Sequence, residues 1–360
     1  MEKEEVYLGE TIQTITTSCE NCGAVMVFAP DIQALRCPHC ESVKEFTVNH
    51  EVEELILEQD FLKGEMWNDA ENVYRCENCG AVVVLGAGTS ATICPYCETS
   101  HIVKTEELAG LKPNAIYPFA ITEEVAVQKA TAWAKKQFFA PKNFKRNLRA
   151  ENVKGVYQPC FTFDSQTVSS YYGRVGDRRT RTVGSGKNKR VETYIVWRTI
   201  RGTFQRNFDD IMINASSAYT QETFNKLQPF DYEKIVKYEQ KVLTGFIARR
   251  YEKDLSTAWK DATKSMDKTI RQEIINMYHC DVVDYLNVST SHMAVTYKYV
   301  LVPIYILNFT YKKKKYPIYI NGNTGKVTGK TPISVWRVLG VVVLSLAVIA
   351  GIAYLIYLNQ

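Results

Sequence analysis

The sequence predicts a multidomain chain: two tandem small zinc ribbons of β type, an α+β middle domain built from two degenerate helix-sheet repeats, and one C-terminal transmembrane helix. Three observations carry that reading. Cys-x-x-Cys pairs are duplicated between Cys19 and Cys97, a helix-then-strand order occurs twice further on, and the chain closes on an uncharged apolar run from Val338 to Leu358. The boundaries follow as ribbon 1 over residues 1–50, a linker and ribbon 2 over 51–112, the middle domain over 113–330 and the membrane helix over 334–358.

In the first ribbon, Cys19-Glu-Asn-Cys22 and Cys37-Pro-His-Cys40 enclose 14 residues; Cys76-Glu-Asn-Cys79 and Cys94-Pro-Tyr-Cys97 enclose the same 14, displaced by 57 positions. Four thiolates on two short knuckles form the tetrahedral, soft-ligand cage that suits Zn²⁺. Gly23 and Gly80 follow the first knuckles, where positive φ lets backbone amides turn toward the sulfurs, and Pro38 and Pro95 fix the second. Disulfide staples or redox pairs are the competing reading, but they do not account for the matched duplicate spacing. Two zinc ions are expected, both structural, since a closed Cys₄ shell leaves no position for water or substrate.

The apolar run of 21 residues spans a hydrocarbon core of roughly 30 Å at about 1.5 Å per residue. Trp336 at one end and Tyr354 and Tyr357 at the other suit interfacial belts. A buried core helix is the alternative, yet core helices rarely lack a polar face over such a length. Met1-Glu-Lys-Glu-Glu5 is acidic and precedes no apolar h-region, so no signal peptide is expected. Metal-binding thiols need a reducing compartment, and Lys312 to Lys315, Lys326, Lys330 and Arg337 crowd the near side of the span. The expected topology is a single-pass tail anchor in the cell membrane with a cytoplasmic amino terminus.

Charge is polarised along the chain. Residues 1–110 carry 6 Lys and Arg against 20 Asp and Glu, a net of −14; the remainder carries 38 against 19, a net of +19. An acidic ribbon pair repels phosphate, which speaks against nucleic acid as its partner. The densest basic feature runs from Arg174 to Arg206, where ten Lys and Arg meet only Asp177 and Glu192. Contact with anionic lipid or an acidic protein competes there with a solvated loop.

In the middle domain, Thr122 caps a helix expected to reach Phe139 and end at Pro141. A strand from Gly155 to Phe163 is expected to lead to a hairpin near Gly173, with a return over Val191 to Phe204. A second helix carries Trp259, Ala262, Met266, Ile270, Ile274 and Met277 on one face, followed by strands Val282–Ser289, Met293–Thr310 and Lys315–Ile320. Val156-Tyr-Gln-Pro159 and Val300-Leu-Val-Pro303 share one pattern, and their prolines are expected at strand edges or bulges. Gly184-Ser-Gly-Lys187-Asn lacks both the leading Gly and the final Ser or Thr of a phosphate loop. No metalloprotease, dinucleotide or nucleophile-elbow motif was found, and no catalytic residue is expected.

The duplicated Cys-x-x-Cys pairs, Ala115-Ile-Tyr-Pro-Phe119, Lys154-Gly-Val-Tyr-Gln-Pro159, Tyr299-Val-Leu-Val-Pro-Ile-Tyr305 and Ile320-Asn-Gly-Asn-Thr-Gly-Lys326 together resemble a bacterial family of double-zinc-ribbon, tail-anchored membrane proteins. Its members are often named primosomal-helicase-like or phage replication proteins, although this sequence has no helicase motor motif. The resemblance implies a scaffold or adaptor that works with SPFH-like membrane proteins and relatives of phage-shock protein A, and it carries over only the eight ribbon cysteines as functional. A membrane-attached nucleic-acid binder is the alternative. Self-association is a further expectation, because Ala347-x-x-x-Gly351 puts small residues on one helix face.

Overall fold

The computed structural model describes residues 18–57, 73–76, 81–85, 94, 102–104, 111–141, 143–144, 153–186, 189–312 and 314–358. Strands β1 (Val27–Ala29), β2 (Ala34–Arg36) and β3 (Val43–Lys44) form a small antiparallel sheet in that order. A second sheet of twelve strands, counted among the described residues, forms the rest. It takes in β4 (Leu55–Ile56), β5 (Val73–Cys76), β6 (Val82–Leu85) and β7 (Ile102–Lys104) from the amino-terminal region. In the stretch that follows ribbon 1, Leu55–Ile56 is strand, paired to Thr296 and Tyr297.

The order short strand, helix, long strand, returning strand then occurs twice. The first copy is β8 (Ala115–Ile116), α1 (Glu123–Lys136), β9 (Val153–Val183) and β10 (Arg190–Asn214). After α2 (Gln221–Leu227), β11 (Val236–Lys237) and α3 (Gln240–Leu243) comes the second copy. It consists of β12 (Ile247–Arg249), α4 (Leu255–Met277), β13 (Val282–Tyr311) and β14 (Lys314–Asn321), followed by β15 (Val327–Gly329). The long strands β9 and β13 lie side by side, antiparallel, and each short strand runs parallel to the long strand of the other copy: Ala115 beside Val300, Ile247 beside Val156.

Each long strand changes its outer neighbour at its proline. β9 passes from β12 at Tyr157 to β10 at Cys160, with Pro159 between; β13 passes from β8 at Leu301 to β14 at Ile304, with Pro303 between. The carbonyls of Pro159 and Pro303 accept from Ala215 and Gly322 on that outer side, the side where an N–H would also point. The expectation of an edge or bulge is therefore corrected: both prolines are interior, and the donor they lack falls in a gap between neighbours, where no ladder bond is lost. A buried Asn ends each returning strand. Asn214, opposite Cys160, donates to the Ser216 and Tyr219 carbonyls; Asn321, opposite Ile304, donates to those of Leu227 and Pro229. In both, Oδ1 accepts from the backbone two residues on.

Burial along β9 falls in three zones. Val156 to Phe163 are buried on both faces, Ser165 to Val175 alternate, and Arg178 to Thr182 are exposed. α4 covers the inner face of the middle zone with Ala258, Ala262, Met266, Ile270 and Ile274. Met277, expected on that face, is 54% exposed, because the helix has reached its end there. No hairpin forms at Gly173: the strand continues to Val183, and the turn lies between Val183 and Arg190. Gly173 instead lets Tyr285 and Leu286 of β13 approach to within 3.1 Å of where a Cβ would sit. The expected break between Ser289 and Met293 is likewise absent, since β13 runs through with a bulge between Met293 and Thr296. β10 bulges between Phe208 and Ile211 at the same level of β9, beside Asp164. Asp210 (φ 51°) and Ala294 (φ 46°) supply the left-handed residues.

α1 starts at the expected cap, with the Val125 N–H donating to Thr122 Oγ1, and ends at Lys136, short of Phe139. The last helix, α5 (Val335–Leu358), has mean hydropathy 2.3 over Val335–Ala353 with none of that stretch buried. It is long and apolar enough to span a membrane. Its start is tied to the body by the Ser334 N–H donating to the Phe139 carbonyl and by Arg337 donating to that of Phe138.

Candidate metal centre

Two knuckles place the first four cysteines. Cys19 N–H donates to the Ala24 carbonyl at 2.7 Å and Gly23 N–H to that of Cys19 at 2.8 Å, with Gly23 at φ 75°. The second knuckle repeats this with Cys37 to Ser42 at 2.9 Å and Glu41 to Cys37 at 3.0 Å; Glu41 takes the left-handed position at φ 60°. The outcome is that the four Sγ atoms lie within 4.8 Å of one another. Cys19 and Cys40 sulfurs are 3.5 Å apart, and those of Cys22 and Cys37 3.4 Å. A disulfide would need about 2.05 Å, whereas a tetrahedron with metal–sulfur bonds of about 2.3 Å has edges near 3.8 Å. These four cysteines are unbridged and fit a metal ion.

Their protonation fits the same chemistry. The Cys22 and Asn21 N–H groups lower the Cys19 thiol, and the Ser42 hydroxyl, 3.1 Å from the Cys40 sulfur, with the Ser42 N–H draws Cys40 down to about 5. The Ala24 N–H works to lower Cys22, but the crowded sulfurs of Cys37 and Cys40 outweigh it and push that thiol up to about 12. Two thiols shed protons readily and the last resists a further negative charge, a conflict that a bound dication removes.

The centre is seated on the middle domain. Phe28 N–H donates to the Thr244 carbonyl at 3.0 Å, and Gln33 Nε2 reaches the Phe119 carbonyl at 2.8 Å. In the second cysteine unit, Cys76 and Cys94 are buried, while Cys79 and Cys97 lie outside the described residues. Its strand β6 joins the large sheet through β12, with Leu85 beside Ile247.

Beyond Gly176, where the pairing with β13 stops, the basic segment is a two-stranded ribbon of β9 and β10. Arg174 lies over the Trp197 ring at 4.9 Å and Arg181 over that of Tyr194 at 5.6 Å. Sequence reasoning missed a buried charged cluster at the paired bulges. Lys298, its side chain 7% exposed, stands 2.9 Å from both Glu54 and Asp210 and 3.6 Å from Asp164. A lysine inside the apolar run Val295 to Leu307 was the available signal. Burial pushes the Asp164 carboxyl up to about 6, whereas Lys298 holds Glu54 below the usual range.

The chain is similar to the uncharacterized protein YdjG of Bacillus subtilis (strain 168), 28% identical over 328 residues that cover 89% of this chain and 91% of that protein. No family model matches the sequence. No solved structure matches it either.

Proposed function

We propose that the protein is a membrane-tethered cytosolic adaptor, anchored by α5, whose ribbons hold structural zinc and recruit membrane-associated proteins, among them SPFH-like or phage-shock protein A-like ones. The observation that carries this reading is the closed four-thiol set of Cys19, Cys22, Cys37 and Cys40, seated on a body that ends in an exposed apolar helix. Four protein ligands saturate a tetrahedral ion, so the metal would fix a binding surface and perform no chemistry. Excess carboxylate over the ribbons favours protein over nucleic acid.

Crosslinking in cells followed by purification from membranes tests it. The intact protein should recover a reproducible set of membrane-associated proteins with about two zinc per chain, and Cys37→Ser should lose those partners while staying in the membrane. Unchanged partners with Cys37→Ser would remove the ribbons from recruitment. Nucleic-acid binding is the second reading, favoured by the Arg and aromatic pairs on the β9–β10 ribbon. It requires salt-sensitive DNA or RNA binding by the full chain that Arg178→Glu with Arg179→Glu abolishes.

A further inference from the structure

A cavity of about 640 Å³ opens between the α2 region and the β14–β15 hairpin, lined by Lys226, Lys315 and Lys330 together with Ser217, Thr220 and Thr223. Three lysines come from separate parts of the chain, and hydroxyls that can donate share the lining with them. One carboxylate, Glu222, also lines it; Lys226 holds that group at 2.7 Å, and the field of Lys330 reaches it as well. Lys226 and Lys330 alone already outnumber that carboxylate.

Position sets the cavity apart from other basic surface. Lys330 precedes the first residue of α5, Val335, by five positions. Five residues span at most about 18 Å, and the headgroup layer on each side of a bilayer adds roughly 6 Å beyond the hydrocarbon. The cavity therefore lies no more than about 18 Å along the chain from the point where α5 begins, at the membrane-proximal end of the body. By contrast, the Arg-rich tip of β9–β10 lies at the far end of the sheet. Gly329 pairs with Ile318, Ile318 with Leu307 and Leu307 with Val153, and from Val153 the strand β9 runs 31 residues to the tip, a contour of about 100 Å.

We infer that this cavity binds a phosphate group, and that its source is the headgroup of an anionic phospholipid in the leaflet that α5 enters. The lipid source rests on the anchor reading above; the phosphate chemistry does not. A phosphodiester offers acceptors only, matching lysines and hydroxyls, and choline headgroups would add a cation that the lysines repel.

Native mass spectrometry of the full-length chain in neutral detergent tests it, with phosphatidylglycerol, phosphatidylcholine and inorganic phosphate as probes. Phosphatidylglycerol should be retained at one per chain and phosphatidylcholine should not. Lys226→Gln with Lys330→Gln should weaken retention about thirtyfold, the equivalent of roughly 2 kcal/mol for two cations at a headgroup. The double Arg variant at the same positions should keep it, and Arg178→Gln with Arg179→Gln should change nothing. Retention of phosphate but not of the lipid would overturn the lipid source. Equal binding by the Gln and Arg variants, with unchanged circular dichroism, would overturn the site. Release of the protein from membranes by carbonate would instead strike the anchor reading, leaving the phosphate titration to decide the cavity.

Discussion

At the scale of single residues, the first ribbon depends on four sulfurs that two knuckles bring within 4.8 Å of one another. Cysteine spacing is a local property, and the hydrogen bonds of each knuckle lie within six consecutive residues, so the grouping of Cys19, Cys22, Cys37 and Cys40 could be read directly. Cys37 is fully buried, and Cys37→Ser should melt the first ribbon at a lower temperature while the middle domain keeps its own transition. A single unshifted transition, with metal content unchanged, would contradict that. Lys298 gathers Glu54, Asp164 and Asp210 from three distant segments, and no local pattern announces such a meeting. Its consequence is a pH dependence. The Asp164 carboxyl titrates near 6 in the folded state against 3.8 for an ordinary aspartate, so its contribution to stability is full below about 3.8 and is lost as pH rises through 6. Asp164→Asn should therefore stabilise the protein at pH 7.5, by on the order of 1–2 kcal/mol, with the advantage fading toward pH 4. Urea unfolding at the two pH values measures it; an advantage that grows on acidification would refute the assignment.

At the scale of elements, the long helices α1 and α4 were anticipated and the short α2 and α3 were not. Thr122 and Asp254 cap α1 and α4 through their side chains, and the buried face of α4 follows its apolar spacing to within one turn. Strands were cut too short because the polar residues Thr290, Ser291 and His292 read as a break. In the structure β13 crosses them: Ser169 and Thr290 hydroxyls meet at 3.0 Å, and Ser165 reaches His292 at 3.2 Å. The paired bulges beside Asp164 absorb the change from a strand covered on both faces to one covered by α4 alone. Ala294 holds the left-handed position that β13 needs there, at φ 46°. For an L residue this conformation costs about 1–2 kcal/mol, partly offset by the chain entropy that glycine loses on folding. Ala294→Gly should raise the melting temperature slightly, and Ala294→Val should lower stability by about 2 kcal/mol relative to that Gly variant. Equal melting temperatures for the two would mean that the bulge can form without a left-handed residue.

At the scale of the whole molecule, the sequence patterns Val156-Tyr-Gln-Pro159 and Val300-Leu-Val-Pro303 belong to strands that pair with each other across the two copies. Their exchange of short strands could not be read locally, because parallel pairing of Ala115 with Val300 joins residues far apart in the chain. The same long strands separate two ends. One carries the cysteine units and the start of α5, and the other carries the exposed arginines of the β9–β10 ribbon. If α5 spans the membrane with the body inside the cell, that ribbon faces cytosol. Thr180→Cys in a Cys280→Ser background is a suitable reporter, since Thr180 is exposed near the tip, Cys160 is fully buried and the partly exposed Cys280 would otherwise compete. Thr180→Cys should react with an impermeant maleimide only after cells are permeabilised, and Gln360→Cys should react in intact cells. This direction is the one expected from Lys326 and Lys330 before α5 and Arg337 in its first turn, because cytoplasmic flanks retain lysine and arginine. Labelling of Thr180→Cys in intact cells, with Gln360→Cys protected, would reverse the topology and with it the adaptor assignment.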